Sequence, residues 1–270
     1  STPAYHVSLL VCGGDATAQD QPTFTAITAS VDTVLRDAQE SDAVLLYFAG
    51  HGHEAGDDTF LLPADARCAS LTKTGLSLRQ LKSELEDCRA RNKVVVVDAC
   101  FADARRASGD GAGNPIARAL DSESFVTICA TSAGQAAWES DATNHGVFTY
   151  ALLDGLRGAA AIEGQVTVSG LYGYVTRQVA QWADSTGRDQ TPTIEHHGQG
   201  DFVIVYAPPL VVEQEAAAAL ADPWAHFDRI TFSFSESTID DTDSEGEVKR
   251  RAGSLCASLG ACPTNVFCVC

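Results

Sequence analysis

Two stretches of this chain are continuously apolar: AVLLYFA at 43–49 and VVVV at 94–97. A strand with one wet face alternates polar and apolar side chains, so a run without a polar position must be covered on both faces. Shorter runs at 6–12, 125–130 and 201–206 read as further strands. Between them the period becomes helical. Ile27, Val31, Val34, Leu35 and Ala38 fall on one helical face. Ser77 reads as an N-cap before the stripe Leu78, Leu81, Leu85 and Cys88. A helix over 147–156 is stopped by Gly158, and Leu171, Val175, Val179 and Trp182 line another. Doubly buried strands separated by helices predict an α/β fold, with a mostly parallel central sheet and helices on both faces.

Composition removes several classes of function. No run of 18 apolar residues occurs, so no membrane partner is expected. Residues 1–6 carry neither a basic start nor an apolar signal core. A net charge of −18 argues against a nucleic-acid partner. Nine cysteines, an odd number, do not read as a disulfide framework without a secretory signal. The expected setting is reducing and cytoplasmic.

In an open parallel sheet, ligands bind beyond the carboxyl ends of the strands. Two reactive residues stand at such ends. His51 follows the first apolar run in YFAGHGHE, and Cys100 follows the second in VVVVDACFAD. A thiol becomes a nucleophile when a nearby imidazole takes its proton or stabilises the thiolate. Gly52, without a side chain, lets its N–H approach a carbonyl oxygen, and with the N–H of Cys100 it would form an oxyanion hole. Taken singly, each residue has an ordinary reading: a small core thiol, a loop histidine. The pair at matched strand ends is the stronger signal. His53 competes for the role of base and reads as a neighbour in the same loop.

G-H-G after one strand and D-A-C after another resemble the caspase-like cysteine peptidases, specifically the metacaspase-type bacterial branch. The segments DTFLLPADA (58–66), ICATSAGQAAWES (128–140), GVFTYALLDGLRG (146–158) and QTPTIEHHGQGDFVIVY (190–206) extend the resemblance over residues 6–206. The chain departs from it in lacking the glycine that often follows the cysteine motif. Members usually carry one more strand and helix before the segment matching 6–35, so a truncated or processed N-terminus is expected. The resemblance implies a caspase-like three-layer sandwich and a Cys100–His51 dyad. It implies that Asp98, two residues before the nucleophile, lines the primary specificity pocket, with Ser132 beside it. A carboxylate there selects a cationic side chain, hence cleavage after Arg or Lys. The plainer alternative for Asp98 is a carboxylate capping the turn. Arg106, in the basic pair before SGDGAGNP, falls where family members often cleave themselves; the plainer alternative is a surface turn. Some members need calcium, but no Asp-x-Asp-x-Asp-Gly loop occurs here, and no cofactor or metal is assigned.

The character changes after Tyr206. The expected organisation is a peptidase domain at 1–206, an acidic flexible linker or leader-like segment at 207–251, and a Cys-rich tail at 252–270. The linker ends in Lys249-Arg250-Arg251, and the tail reads AGSLCASLGACPTNVFCVC. Ser258 and Thr264 each stand four residues before a cysteine, a spacing that resembles a lanthipeptide-type precursor, in which dehydrated Ser or Thr accepts a thiol. Zinc binding, disulfides and a tail without a role are the alternatives; C-x5-C-x5-C-x-C lacks the paired knuckles of a structural zinc site. The expected substrate is a peptide or protein, foremost the chain's own tail cut at Arg250 or Arg251, with peptide-modifying enzymes as further partners. Two other functions stay open: a stress or defence peptidase with other protein substrates, and a catalytically silent module that presents the tail.

Overall fold

The computed structural model describes residues 6–11, 21–101, 114–140, 145–197, 200–206 and 265–269. Arg106, the 207–251 segment with Arg250 and Arg251, and residues 252–264 lie outside the described residues. In chain order the elements are β1 (His6–Leu10), α1 (Phe24–Asp37), β2 (Ala43–Ala55), β3 (Asp58–Leu62), a 3-10 turn (Cys68–Ser70), α2 (Leu71–Thr74), β4 (Leu76–Ser77) and α3 (Leu78–Asp87). They continue with β5 (Asn92–Phe101), α4 (Pro115–Ala119), β6 (Val126–Cys129), β7 (Glu139–Ser140), β8 (His145–Gly146), α5 (Val147–Asp154), β9 (Gln165–Thr167), α6 (Val168–Thr186), β10 (Thr193–Glu195), β11 (Val203–Tyr206) and β12 (Asn265–Val269).

Among the described residues the main sheet has eight strands, six of them in the order β1-β12-β2-β5-β6-β10, with β3 and β4 continuing from β2 as a hairpin. The first five in that order run parallel; β10 and the β3–β4 pair are antiparallel. This is the α/β, mostly parallel sheet that the apolar runs predict. The strand expected at 201–206 is present as β11, but outside the main sheet. β11 leaves the main sheet and pairs with β9 in a two-stranded ribbon, while β10 takes the edge beside β6. A three-residue strand at an edge closes a sheet without offering a long unpaired ladder.

Residue parity sorts the core. In β2 and β5, Leu45, Tyr47, Ala49, Val94 and Val96 face one way and pack with Phe148 and Leu152 of α5 and Leu171 and Val175 of α6. Val44, Leu46, Phe48, Val95 and Val97 face the other way and pack with Ile27 and Val31 of α1 and Leu78, Leu81 and Leu85 of α3. The continuous apolar runs are thus two interleaved sets, one for each helical layer. α3 begins as expected, with Ser77 Oγ accepting from the Gln80 amide at 3.1 Å. α6 ends on Gly187 at φ +66°, a left-handed position that favours glycine.

Five residues that the sequence analysis assigns to the tail lie within the sheet. The backbone of β12 runs parallel to β1, with His6–Leu10 opposite Asn265–Val269, and parallel to Val44–Phe48 of β2. NVFCV holds two valines and a phenylalanine, residues suited to a pleated strand. Among the described residues, no helix is long and apolar enough to cross a membrane.

Candidate active site

The site is read from the register of two parallel strands. β2 and β5 pair rung by rung from Ala43↔Asn92 to Gly52↔Phe101. Along this ladder Ala49 meets Asp98, Gly50 meets Ala99 and His51 meets Cys100. Successive side chains of a strand alternate faces, so positions 98 and 100 share one face, and positions 47, 49 and 51 share it with them. It is the face covered by α5 and α6. Two apolar rows therefore turn polar at the carboxyl end of the sheet, where such folds hold their ligands.

β2 changes role at this point. Up to Ala49 it is buried between its neighbours; from His51 to Ala55 it forms an antiparallel hairpin with Asp58–Leu62. His51 stands at the junction, opposite Leu62 on one side and Cys100 on the other. Gly50 makes the junction possible. Its φ is +157°, and a Cβ there would lie 3.0 Å from the Phe48 ring. Gly52 is buried and pairs with Leu61 and Phe101. His53 pairs with Phe60, beyond the last rung that β2 shares with β5. The register thus separates the two histidines: position 51 is level with Cys100 and position 53 is past it.

His51 is exposed on the rim, yet the partial burial around its ring holds its pKa below the ordinary histidine value. Desolvation disfavours the imidazolium, so the ring stays a neutral base further into acid. Cys129, the buried thiol at the end of β6, is the opposite case: burial pushes it up to about 12. A thiol so disfavoured as thiolate is a core residue, not a nucleophile.

Asp98 is buried, with 8% of its surface exposed. Its Oδ2 accepts a hydrogen bond from Thr149 Oγ1 in the first turn of α5, and Thr149 Oγ1 lies 2.7 Å from the Tyr47 hydroxyl. Ser132 lies three residues past the end of β6. Its hydroxyl donates to the Thr191 carbonyl at 3.0 Å, and its amide donates to Gln135 Oε1 at 3.3 Å. Gln190 fastens the same loop, donating to the Ala130 carbonyl at 3.1 Å and accepting from the Trp138 amide at 2.9 Å. The register brings positions 51, 98 and 100 together, and Ser132 belongs to the adjoining loop. Tyr47 and Thr149 escape the sequence reading because each sits in an otherwise apolar segment. The available signal is parity: Tyr47 is two and four residues before Ala49 and His51 on the same face.

A family model described as "Caspase domain" matches residues 8–203. The chain belongs to the caspase domain family. It is a caspase-like cysteine peptidase in the general sense of that family, and the mixed α/β sheet with helical layers on both faces is the caspase fold. No curated protein matches the chain. The matched span covers β2, β5 and β6, and so contains His51, Asp98, Cys100 and Ser132; the 207–270 region lies beyond it.

Proposed function

We propose that this caspase domain is a cysteine endopeptidase of the metacaspase-type branch, cutting after Arg or Lys. Cys100 is its nucleophile and His51 its base. The observation that carries the reading is the pairing of position 51 with position 100, with Asp98 two residues back on the same face. In the reaction, the Cys100 sulfur bonds to the scissile carbonyl carbon as the thiol proton passes to His51. The oxyanion accepts from the Gly52 and Cys100 amides. His51 then protonates the leaving amine, and water, deprotonated by the same ring, hydrolyses the thioester and restores the thiol. Asp98, at the base of the pocket, pairs with the guanidinium or ammonium of the residue before the cut. Ser132 lines the loop beside it. The test is turnover of a fluorogenic Arg-ended peptide, with Cys100→Ala as control; equal turnover by that variant rejects the dyad.

The favoured substrate is the chain's own tail. Lys249-Arg250-Arg251 supplies cations in an acidic, Ser/Thr-rich setting, and the small residues Ala252-Gly253-Ser254 follow. Residues 252–270, which follow a cut after Arg251, hold Cys256, Cys262, Cys268 and Cys270. Their Ser/Thr-to-Cys spacings support a lanthipeptide-like precursor. The β12 backbone bears on its fate: a peptide cut at Arg251 leaves only when it is stripped from β1 and β2.

A further inference from the structure

The three buried oxygens of Tyr47, Thr149 and Asp98 form a chain whose direction is fixed by chemistry. An ionised carboxylate only accepts, so Thr149 spends its single hydroxyl proton on Asp98 Oδ2. The Thr149 oxygen then has only lone pairs for Tyr47, so the phenol donates to it across 2.7 Å. Both O–H dipoles point toward the carboxylate. Tyr47 and Thr149 are each 2% exposed, so water does not compete for these bonds. In such surroundings a donor chain polarises itself and strengthens its final bond.

The chain also ties three elements together. Tyr47 is on the strand that carries His51, Asp98 on the strand that carries Cys100, and Thr149 on the helix that covers their shared face. A carboxylate with one oxygen held in this way keeps its rotamer before any substrate arrives, which lowers the ordering cost of binding a cation.

We infer that Thr149, backed by Tyr47, is the positioning residue of the specificity pocket: it holds the Asp98 carboxylate in place for the cationic side chain of the substrate. This rests on the reading of Asp98 given above. A merely structural bond, pinning α5 to the sheet, would affect all substrates alike.

The experiment compares two peptides that differ only in an Arg or a norleucine before the cut, with kcat and KM measured separately. Wild type is compared with Thr149→Val, Thr149→Ser and Tyr47→Phe. Loss of a hydrogen bond to a charged acceptor predicts that Thr149→Val raises KM for the Arg peptide about tenfold, with kcat within about twofold. The norleucine peptide is unaffected, Thr149→Ser restores the Arg value, and Tyr47→Phe raises it about two- to threefold. The same comparison by calorimetric binding of the Arg peptide, in a Cys100→Ala background, needs no turnover. If Thr149→Val does not fold, Tyr47→Phe decides: an unchanged Arg affinity overturns the inference. Equal effects on both peptides overturn it as well. A wild type that binds both peptides equally rejects the role of Asp98 and this inference with it; a wild-type preference that survives in Thr149→Val rejects the inference alone.

Discussion

His51 stands directly across from Cys100 on neighbouring parallel strands, with one backbone rung between them. Adjacent strands lie about 4.8 Å apart, and this register is the backbone placement that the proposed dyad needs. His51→Ala and Cys100→Ala are each expected to abolish turnover of an Arg-ended peptide. His53, two residues further along, is displaced by about 6.6 Å, and His53→Ala is expected to keep much of the rate. Denaturant unfolding of Cys100→Ala should differ from wild type by no more than about 1–3 kcal/mol, which separates lost chemistry from lost fold.

The pH profile follows from the direction of the His51 shift. Its pKa lies below the ordinary 6.5, so the acid limb of kcat/KM is expected below that value. Stability takes the same sign. The folded chain binds this proton less readily than the unfolded chain, so stability falls as the pH drops through about 6.5. Unfolding midpoints of wild type and His51→Gln, measured at neutral and mildly acid pH, check this: the wild type should lose more.

How much of this was legible in the sequence differs by element. The runs at 43–49 and 94–97 announce doubly covered strands because no polar residue interrupts them, and the helical stripes on α1, α3 and α6 give the layers. His51 and Cys100 are readable because each follows such a run through a short, small-residue link. The partner of Asp98 is not readable in that way. Thr149 lies 51 residues away, and only the packing of α5 on β2 and β5 brings it there. The places of β11 and β12 are equally obscure, since pairing partners far apart in sequence depend on which edges other strands leave open.

Specificity gives a third expectation. Asp98→Asn removes the charge while keeping a similar shape, and should lower kcat/KM for Arg- and Lys-ended peptides by about 10- to 1000-fold, with little change for a neutral residue. Efficient cleavage after Asp by the wild type would mean that another residue forms the base of the pocket.

Mass spectrometry of the incubated wild type should show cleavage after Arg251 or Arg250. A dilution series separates the routes, because an intramolecular rate does not fall with concentration. A chain active on a small Arg peptide that keeps its full mass has some other substrate. Cleavage at Arg106 alone marks an ordinary self-maturing peptidase.

Hydrogen exchange tests the placement of the last strand. The amides of Asn265–Val269, flanked by strands on both sides, should exchange about as slowly as those of Val44–Phe48. Exchange at the rate of an unstructured peptide would show that β1 and β2 do not hold this segment in solution.

The sorting of β2 and β5 by parity leaves the chemistry on one side of a wall. The odd-numbered residues of β2 and the even-numbered residues of β5 lead up to the proposed site under α5 and α6, while their neighbours in sequence pack on the other side with α1, α3 and α4. A substitution at Val95 or Val97 is thus felt by the far helical layer first. For anyone redesigning this protease, that far layer is where loops can be lengthened, helices exchanged or a reporter inserted, with the backbone of the two strands as the insulation.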